Sequence, residues 1–224
     1  MARLVDGTMQ RSLRAAFARV EWVGPMPDVP ADHSVVMIAN HPSFYDGYLG
    51  WLVAERVLNR RVLTWMQEWD RFPFFAASGA LPFPADDPAG RAATVRRTAR
   101  LFGRPDYALL YFPEGRLRTP EEGVGPFDER LLSRLDRILP PRTYLPLAIH
   151  LTWDGGARPL VRLAAGSPVP TLQGDERARL IALLDTLRYP QNPPLPATTL
   201  LDGATSPADR WDFRFARAYF RRYL

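Results

Sequence analysis

The chain has 224 residues, 46% hydrophobic and 24% charged, which is enough apolar surface for one packed globular domain. It has no cysteine, which excludes disulfides, thiolate metal sites and cysteine nucleophiles, and its three histidines (His33, His41, His150) argue against a multi-histidine metal cage. It has no lysine either: all 29 basic residues are arginine, so Schiff-base catalysis and a lysine-dependent phosphate loop are excluded.

The net charge of +5 is unevenly spread: residues 1–19 carry +3, residues 209–224 carry +3, and residues 20–208 carry −1. Basic ends suit an anionic membrane surface or nucleic acid. The charge runs and aromatic patterns of nucleic-acid modules are absent, so a lipid surface is the expected partner and nucleic acid is not. No apolar stretch approaches the length of a transmembrane helix, and the N-terminus lacks the long apolar core of a secretory signal.

Residues 8–20 read as an amphipathic helix, with Met9, Leu13, Phe17 and Val20 on one face. That face either docks on its own domain or lies on lipid. Residues 21–33 hold Pro25, Pro27 and Pro30 and read as a connector, with a short strand at Trp22-Val23. Residues 34–39 (Ser-Val-Val-Met-Ile-Ala) are a buried strand by composition. The strand runs into Asn40-His41-Pro42-Ser43-Phe44-Tyr45-Asp46, where Pro42 and Ser43 mark a turn or helix start.

A histidine with an aspartate five positions on is the pattern of a general base and its orienting carboxylate. Ligand sites in α/β folds collect at strand C-terminal ends of this kind. Taken alone, the pair is equally consistent with a packing histidine.

Helical periodicity continues over 44–58, and Arg61 to Met66 reads as a second strand. The aromatic stretch 67–78 (Trp69, Phe72, Phe74, Phe75) is either a helical turn packed on the sheet or an apolar channel wall. Gly79 to Pro84 reads as a short extended piece, Asp86-Asp87-Pro88 as a turn and N-cap, and 88–103 as a helix. Tyr107 to Phe112 is a central strand that ends in Pro113-Glu114-Gly115-Arg116-Leu117-Arg118. Glycine lets backbone approach a ligand, and arginines supply forked donors for phosphate or carboxylate. This loop is therefore either an anion or polyol site or a polar surface loop.

A helix is expected over 128–139, strands over 144–150 and 158–163, and a helix over 174–188. Residues 189–208 contain five prolines and read as a surface loop or linker. In 209–224, Arg210, Arg214, Arg217 and Arg221 form a narrow stripe beside Trp211, Phe215, Tyr219, Phe220 and Leu224. This C-terminal helix either packs on the fold or lies in a membrane interface.

With these motifs in order, the chain resembles the glycerolipid acyltransferases, the lysophosphatidate-acyltransferase-like enzymes. His41 and Asp46 match the His-x4-Asp motif, and Gly79-Ala80-Leu81-Pro82-Phe83 resembles the second motif. Phe112-Pro113-Glu114-Gly115 matches the third motif, and Leu145-Pro146-Leu147-Ala148 resembles the fourth. The resemblance implies a single α/β domain over 1–224, with a mixed, largely parallel sheet flanked by helices. The catalytic core would span 34–165, between an N-terminal helix and connector (1–24) and a C-terminal helix (209–224).

The resemblance also implies acyl transfer from acyl-CoA or acyl-carrier protein to a lipid hydroxyl in phospholipid synthesis. The enzyme would work peripherally at the cytoplasmic membrane face, with no metal and no cofactor beyond the acyl donor. His41 would be the base and Asp46 its orienter. Substrate contacts would come from Ser43, Gly79, Glu114, Gly115, Arg116, Arg118 and Pro146. Where the family commonly places phosphate-contacting arginines, this chain has Ala85 and Leu117. The acceptor is thus left open between a glycerol phosphate, with Arg116 or Arg118 substituting, and a glycolipid, amino-acid lipid or larger lysophospholipid. A water-using hydrolase with the same dyad and a non-catalytic lipid-binding relative are the competing readings. The absence of a Gly-x-Ser-x-Gly elbow disfavours a serine esterase.

Overall fold

The computed structural model describes residues 2–189, 191–204 and 214–221. Among the described residues, six α-helices and eight strands follow one another as α1 (Ala2–Ala16), β1 (Arg19–Val23), β2 (Ser34–Ala39), α2 (Asp46–Arg56), β3 (Arg61–Met66), β4 (Ala80–Pro82), α3 (Pro88–Leu101), β5 (Tyr107–Tyr111), α4 (Glu129–Ile138), β6 (Arg142–Thr152), β7 (Leu160–Ala165), α5 (Glu176–Arg188), β8 (Ala197–Asp202) and α6 (Arg217–Phe220). The strands form one sheet in the order β4-β3-β5-β2-β6-β7-β1-β8. Neighbours are parallel except β6/β7 and β1/β8. The largely parallel α/β domain expected from the sequence is the observed one.

Strand alternation divides the core into two faces. Val35, Met37 and Ala39 of β2, with Leu145, Leu147 and Ile149 of β6, face a cluster with Met9 and Leu13 of α1 and Leu49, Leu52 and Val53 of α2. Val36 and Ile38 face the opposite cluster, with Val95 of α3 and Leu132 and Leu135 of α4. Ala148 and Ala164 meet Leu180, Leu184 and Leu187 of α5. All six residues of β2 are buried, because β2 lies between β5 and β6 and is covered on both faces. The connection after β2 runs toward β3, whereas the one after β5 passes over to β6. Divergent crossovers open a crevice at the strand's C-terminal end, where His41 follows.

Three segments differ from the sequence reading. The N-terminal helix spans Ala2–Ala16 and not 8–20, and Val20 belongs to β1. The apolar period runs unbroken across the helix end because both elements bury into one cluster: Leu13 is 0% exposed, Phe17 2% and Val20 1%. This face of α1 therefore docks on its own domain. Ser78 Oγ also donates to Asp6 Oδ1 at 2.9 Å, tying α1 to the 73–78 turn. Leu13→Ala should cost about 2–5 kcal/mol of stability, the usual range for a buried leucine. Urea denaturation should show a lowered midpoint at an unaltered slope, and no shift would mean that α1 is not core.

The second difference is the proline-rich 189–208, read as a loop, which contains β8 paired antiparallel to β1. It is an edge strand with only Leu201 buried, so it has little apolar pattern to read. Third, 67–78 forms two 3-10 turns (Trp69–Arg71, Pro73–Ser78) without a fully buried residue. Its rings interlock at the surface, Phe75 lying 4.4 Å from Phe74 and 5.5 Å from Tyr48 of α2, centroid to centroid. Much of the expected 209–224 helix lies outside the described residues. Within it, 214–216 form a 3-10 turn, followed by the four-residue α6.

Candidate active site

The dyad forms as the spacing predicts. His41 Nδ1 lies 2.8 Å from Asp46 Oδ2. Asp46 opens α2, and its side chain is 0% exposed. Ser43 N–H donates to Oδ2 and Ser43 Oγ–H to Oδ1, each at 2.8 Å. Burial pushes the Asp46 carboxyl up from its ordinary range; the bonds from His41 and Ser43 pull the other way. The α2 N-terminus also favours the carboxylate. A carboxylate can only accept, so Nδ1 carries the proton and Nε2 is left as the acceptor. Ser43, expected at the substrate, is engaged inside this turn, where its Oγ also accepts from Tyr45 N at 3.1 Å.

The loop after β5 clamps the histidine. The Phe112 ring stacks on the imidazole, with centroids 4.0 Å apart and planes at 10°. The Glu114 side chain is 0% exposed; its Oε1 accepts from His41 N at 3.2 Å and its Oε2 from Gly125 N at 2.7 Å. Arg118 N–H donates to His41 O at 2.9 Å. The Arg118 guanidinium pairs with Glu114, Nε to Oε2 2.9 Å. It passes over Gly125, where a Cβ would stand 1.9 Å from Nε, so a larger residue there would push the guanidinium aside.

The backbone of His41 is thus held on both sides and its ring on one face. Gly115 sits at φ +67° in the tight turn closed by its N–H to Phe112 O, a conformation that favours glycine. Arg116 is exposed and 3.5 Å from Glu122.

Asn40 holds the other neighbour. Its Nδ2 donates to Ile149 O and its Oδ1 accepts from Ile149 N, both at 2.8 Å. The amide thereby extends the β2–β6 pairing one residue beyond Ala39, the last residue of β2. Sequence reasoning had quoted Asn40 and Phe112 only as parts of motifs. Their roles depend on β6 and on ring orientation, neither of which local sequence displays.

Two other expected contacts lie elsewhere. Gly79 precedes edge strand β4 at φ +96°, and a Cβ there would be 1.9 Å from Val62 O, so β3's backbone explains this glycine. Pro146 is buried within β6 opposite Ile38, with its carbonyl accepting from Gly166 N at 2.9 Å. At the positions noted for missing arginines, Leu117 is 50% exposed, and Arg91 of α3 donates to the carbonyls of Pro84 and Ala85.

A narrow cleft opens beside His41, lined by Asn40, Pro42, Arg118, His150, Leu184 and Arg188 among others. It takes in His41 and Arg118 from the expected set, and adds His150 and Arg188, which sequence reasoning had not singled out. Among the described residues, no group of three or more His, Asp or Glu side chains has the arrangement of a metal site.

A histidine paired with a buried carboxylate at a strand end of a mostly parallel sheet is an arrangement able to take a proton from a bound group. The Acyltransferase family model matches residues 23–150, more than half of the chain, and the chain belongs to that family. No curated protein matches the sequence. The fold matches the crystal structure of the 1-acyl-sn-glycerophosphate (LPA) acyltransferase PlsC from Thermotoga maritima, at TM-score 0.56 and 17% identity over 82% of this chain and 77% of that one. The protein is an acyltransferase, and all four quoted motifs lie within the matched span.

Proposed function

We propose that this acyltransferase moves a fatty acyl group from acyl-CoA or acyl-carrier protein to a hydroxyl of a lysophospholipid or glycerol-phosphate-type acceptor at a membrane surface. The observation that carries the reading is the 2.8 Å contact between His41 Nδ1 and a fully buried Asp46. His41 Nε2 takes the acceptor's hydroxyl proton as that oxygen attacks the thioester carbonyl. The tetrahedral intermediate collapses, the carbon–sulfur bond breaks, and the leaving thiolate receives the proton from His41. The ester forms, the thiol leaves and the base is restored, so no protein nucleophile is required. Ser43, Asn40, Phe112 and Glu114 act as positioning residues: they fix Asp46 or His41 and do not touch the acceptor.

The acceptor's substrate class follows the relative from Thermotoga maritima, whose activity is on a 1-acyl glycerophosphate. The basic ends of the chain support a lipid surface as the place of work. So does a run of aromatic contacts that starts beside the dyad: Phe44, 59% exposed, meets Tyr48, which meets Phe75, which meets Phe74, 50% exposed. No helix among the described residues is long and apolar enough to cross a membrane.

Purified protein given labelled long-chain acyl-CoA and lysophosphatidate in vesicles should yield labelled phosphatidate. Labelled free fatty acid with no acylated lipid would replace this reading with hydrolysis.

A further inference from the structure

The loop that follows Glu114 is held from outside. It runs through Arg118 and Pro120 to Val124 and Gly125 before α4 begins, and Gly123 and Gly125 leave it little stiffness of its own. α5 supplies the restraint. Arg177, in the first turn of α5, donates Nε–H to Gly125 O and Nη2–H to Val124 O, both at 2.7 Å. Arg188, the last residue of α5, donates Nη2–H to Pro120 O at 2.6 Å. The two anchors lie about 16 Å apart along the helix. Between them, Leu180, Leu184 and Leu187 share an apolar cluster with Val124.

The Arg177 contact is unlike that of its neighbour. Arg179 makes a surface pair with Asp175, four residues back, at 2.7 Å. Among the described residues, Arg177 has no carboxylate partner, and two donors of its fork grip successive carbonyls of two buried residues. Buried carbonyls need a donor, and among the described residues these two accept from Arg177 alone.

The grip continues inward. Gly125 N–H donates to Glu114 Oε2, and Glu114 Oε1 accepts from His41 N. The Glu114 side chain is fully enclosed, so no water replaces the Gly125 bond if that residue swings away. The carboxylate would then be free to turn, and His41 N would lose its acceptor. None of the four sequence motifs includes α5.

We infer that Arg177 is a positioning residue of the acyl-transfer site: by holding Val124 O and Gly125 O it fixes the Glu114 carboxylate, and through it the backbone of His41. The inference rests on the acyl-transfer reading of the dyad. Arg177 touches neither substrate; it sets how often His41 stands where the acceptor hydroxyl needs it.

Arg177→Ala should therefore lower kcat by about 10-fold, in the range of couplings carried through contact networks, with KM for acyl-CoA and for lysophosphatidate within twofold of wild type. Ethylguanidinium added to Arg177→Ala should restore much of the rate, and Arg177→Lys should keep part of it, since an ammonium lacks the planar fork. Arg179→Ala, the control on the same helix, should match wild type. A kcat within twofold of wild type in Arg177→Ala overturns the inference. So does a raised KM at unaltered kcat, which would put Arg177 on a substrate. A kcat loss that neither ethylguanidinium nor Arg177→Lys relieves is a general loss of fold and overturns it too.

A second readout needs no turnover. Amide hydrogen exchange followed by NMR should be faster at Gly125 and His41 in Arg177→Ala, while Leu109 in the middle of β5 stays as slow as in wild type. Unaltered exchange at Gly125 and His41 overturns the inference even if acyl transfer is found. Faster exchange there, in a protein that acylates no acceptor, supports the clamp and overturns the functional reading instead.

Discussion

His41→Ala should lower acyl transfer by roughly 10²–10⁴-fold, the usual contribution of a positioned general base. The loss should fall on kcat, since the imidazole acts on a proton that moves only in the transition state. Asp46→Asn tests the second half of the dyad. The asparagine amide places an N–H₂ group where Asp46 now accepts bonds from Ser43 or His41. One of those donors must turn away, and the imidazole loses its fixed tautomer. A smaller kcat loss than for His41→Ala is expected, with the acceptor's KM little moved. Steady-state rates against acyl-CoA and lysophosphatidate, with circular dichroism to show a retained fold, make the check. Full activity in His41→Ala would remove the dyad from the chemistry.

Glu114→Ala should cost about 3–5 kcal/mol of stability, because it leaves the Arg118 guanidinium without its buried counter-charge. The same change frees His41 N and Gly125 N from their acceptor, so kcat should fall with the melting temperature. This outcome separates two roles for one residue. If Glu114 gripped the acceptor headgroup, as the motif resemblance implies, its removal would raise the acceptor's KM at an undiminished melting temperature. Full enclosure and three internal partners (His41 N, Gly125 N, Arg118) favour the positioning role. Glu114→Gln is the finer probe: it keeps the shape but loses the charge that Arg118 faces. It should lie between wild type and Glu114→Ala in both stability and kcat.

The parts of this molecule that were legible in sequence are those whose signal is local. β2 and β5 announce themselves as apolar runs because strands covered on both faces need apolar side chains at nearly every position. His41 and Asp46 are legible because a turn of four intervening residues brings them together. β8 was not, since an edge strand with one buried side chain carries almost no pattern, and its flanking prolines read as a loop. Asn40, Phe112 and Glu114 sat in plain view within motifs, yet their roles come from contacts across the sheet: Asn40 to Ile149, Phe112 to the His41 ring, Glu114 to Gly125. His150 and Arg188 reach the cleft only because β6 lies beside β2 and α5 packs on β6, a placement that no spacing rule supplies.

The mechanism requires the acceptor hydroxyl, and no group of the protein, to attack the thioester. Mixing the protein with long-chain acyl-CoA alone, and following thiol release alongside the intact protein mass, tests that requirement directly. Without acceptor, no thiol should be released and the mass should stay that of the unmodified chain. Adding lysophosphatidate should start thiol release in equal amount to the acylated lipid. Thiol release without acceptor, or a protein heavier by one acyl group, would contradict direct attack by an acceptor that His41 activates.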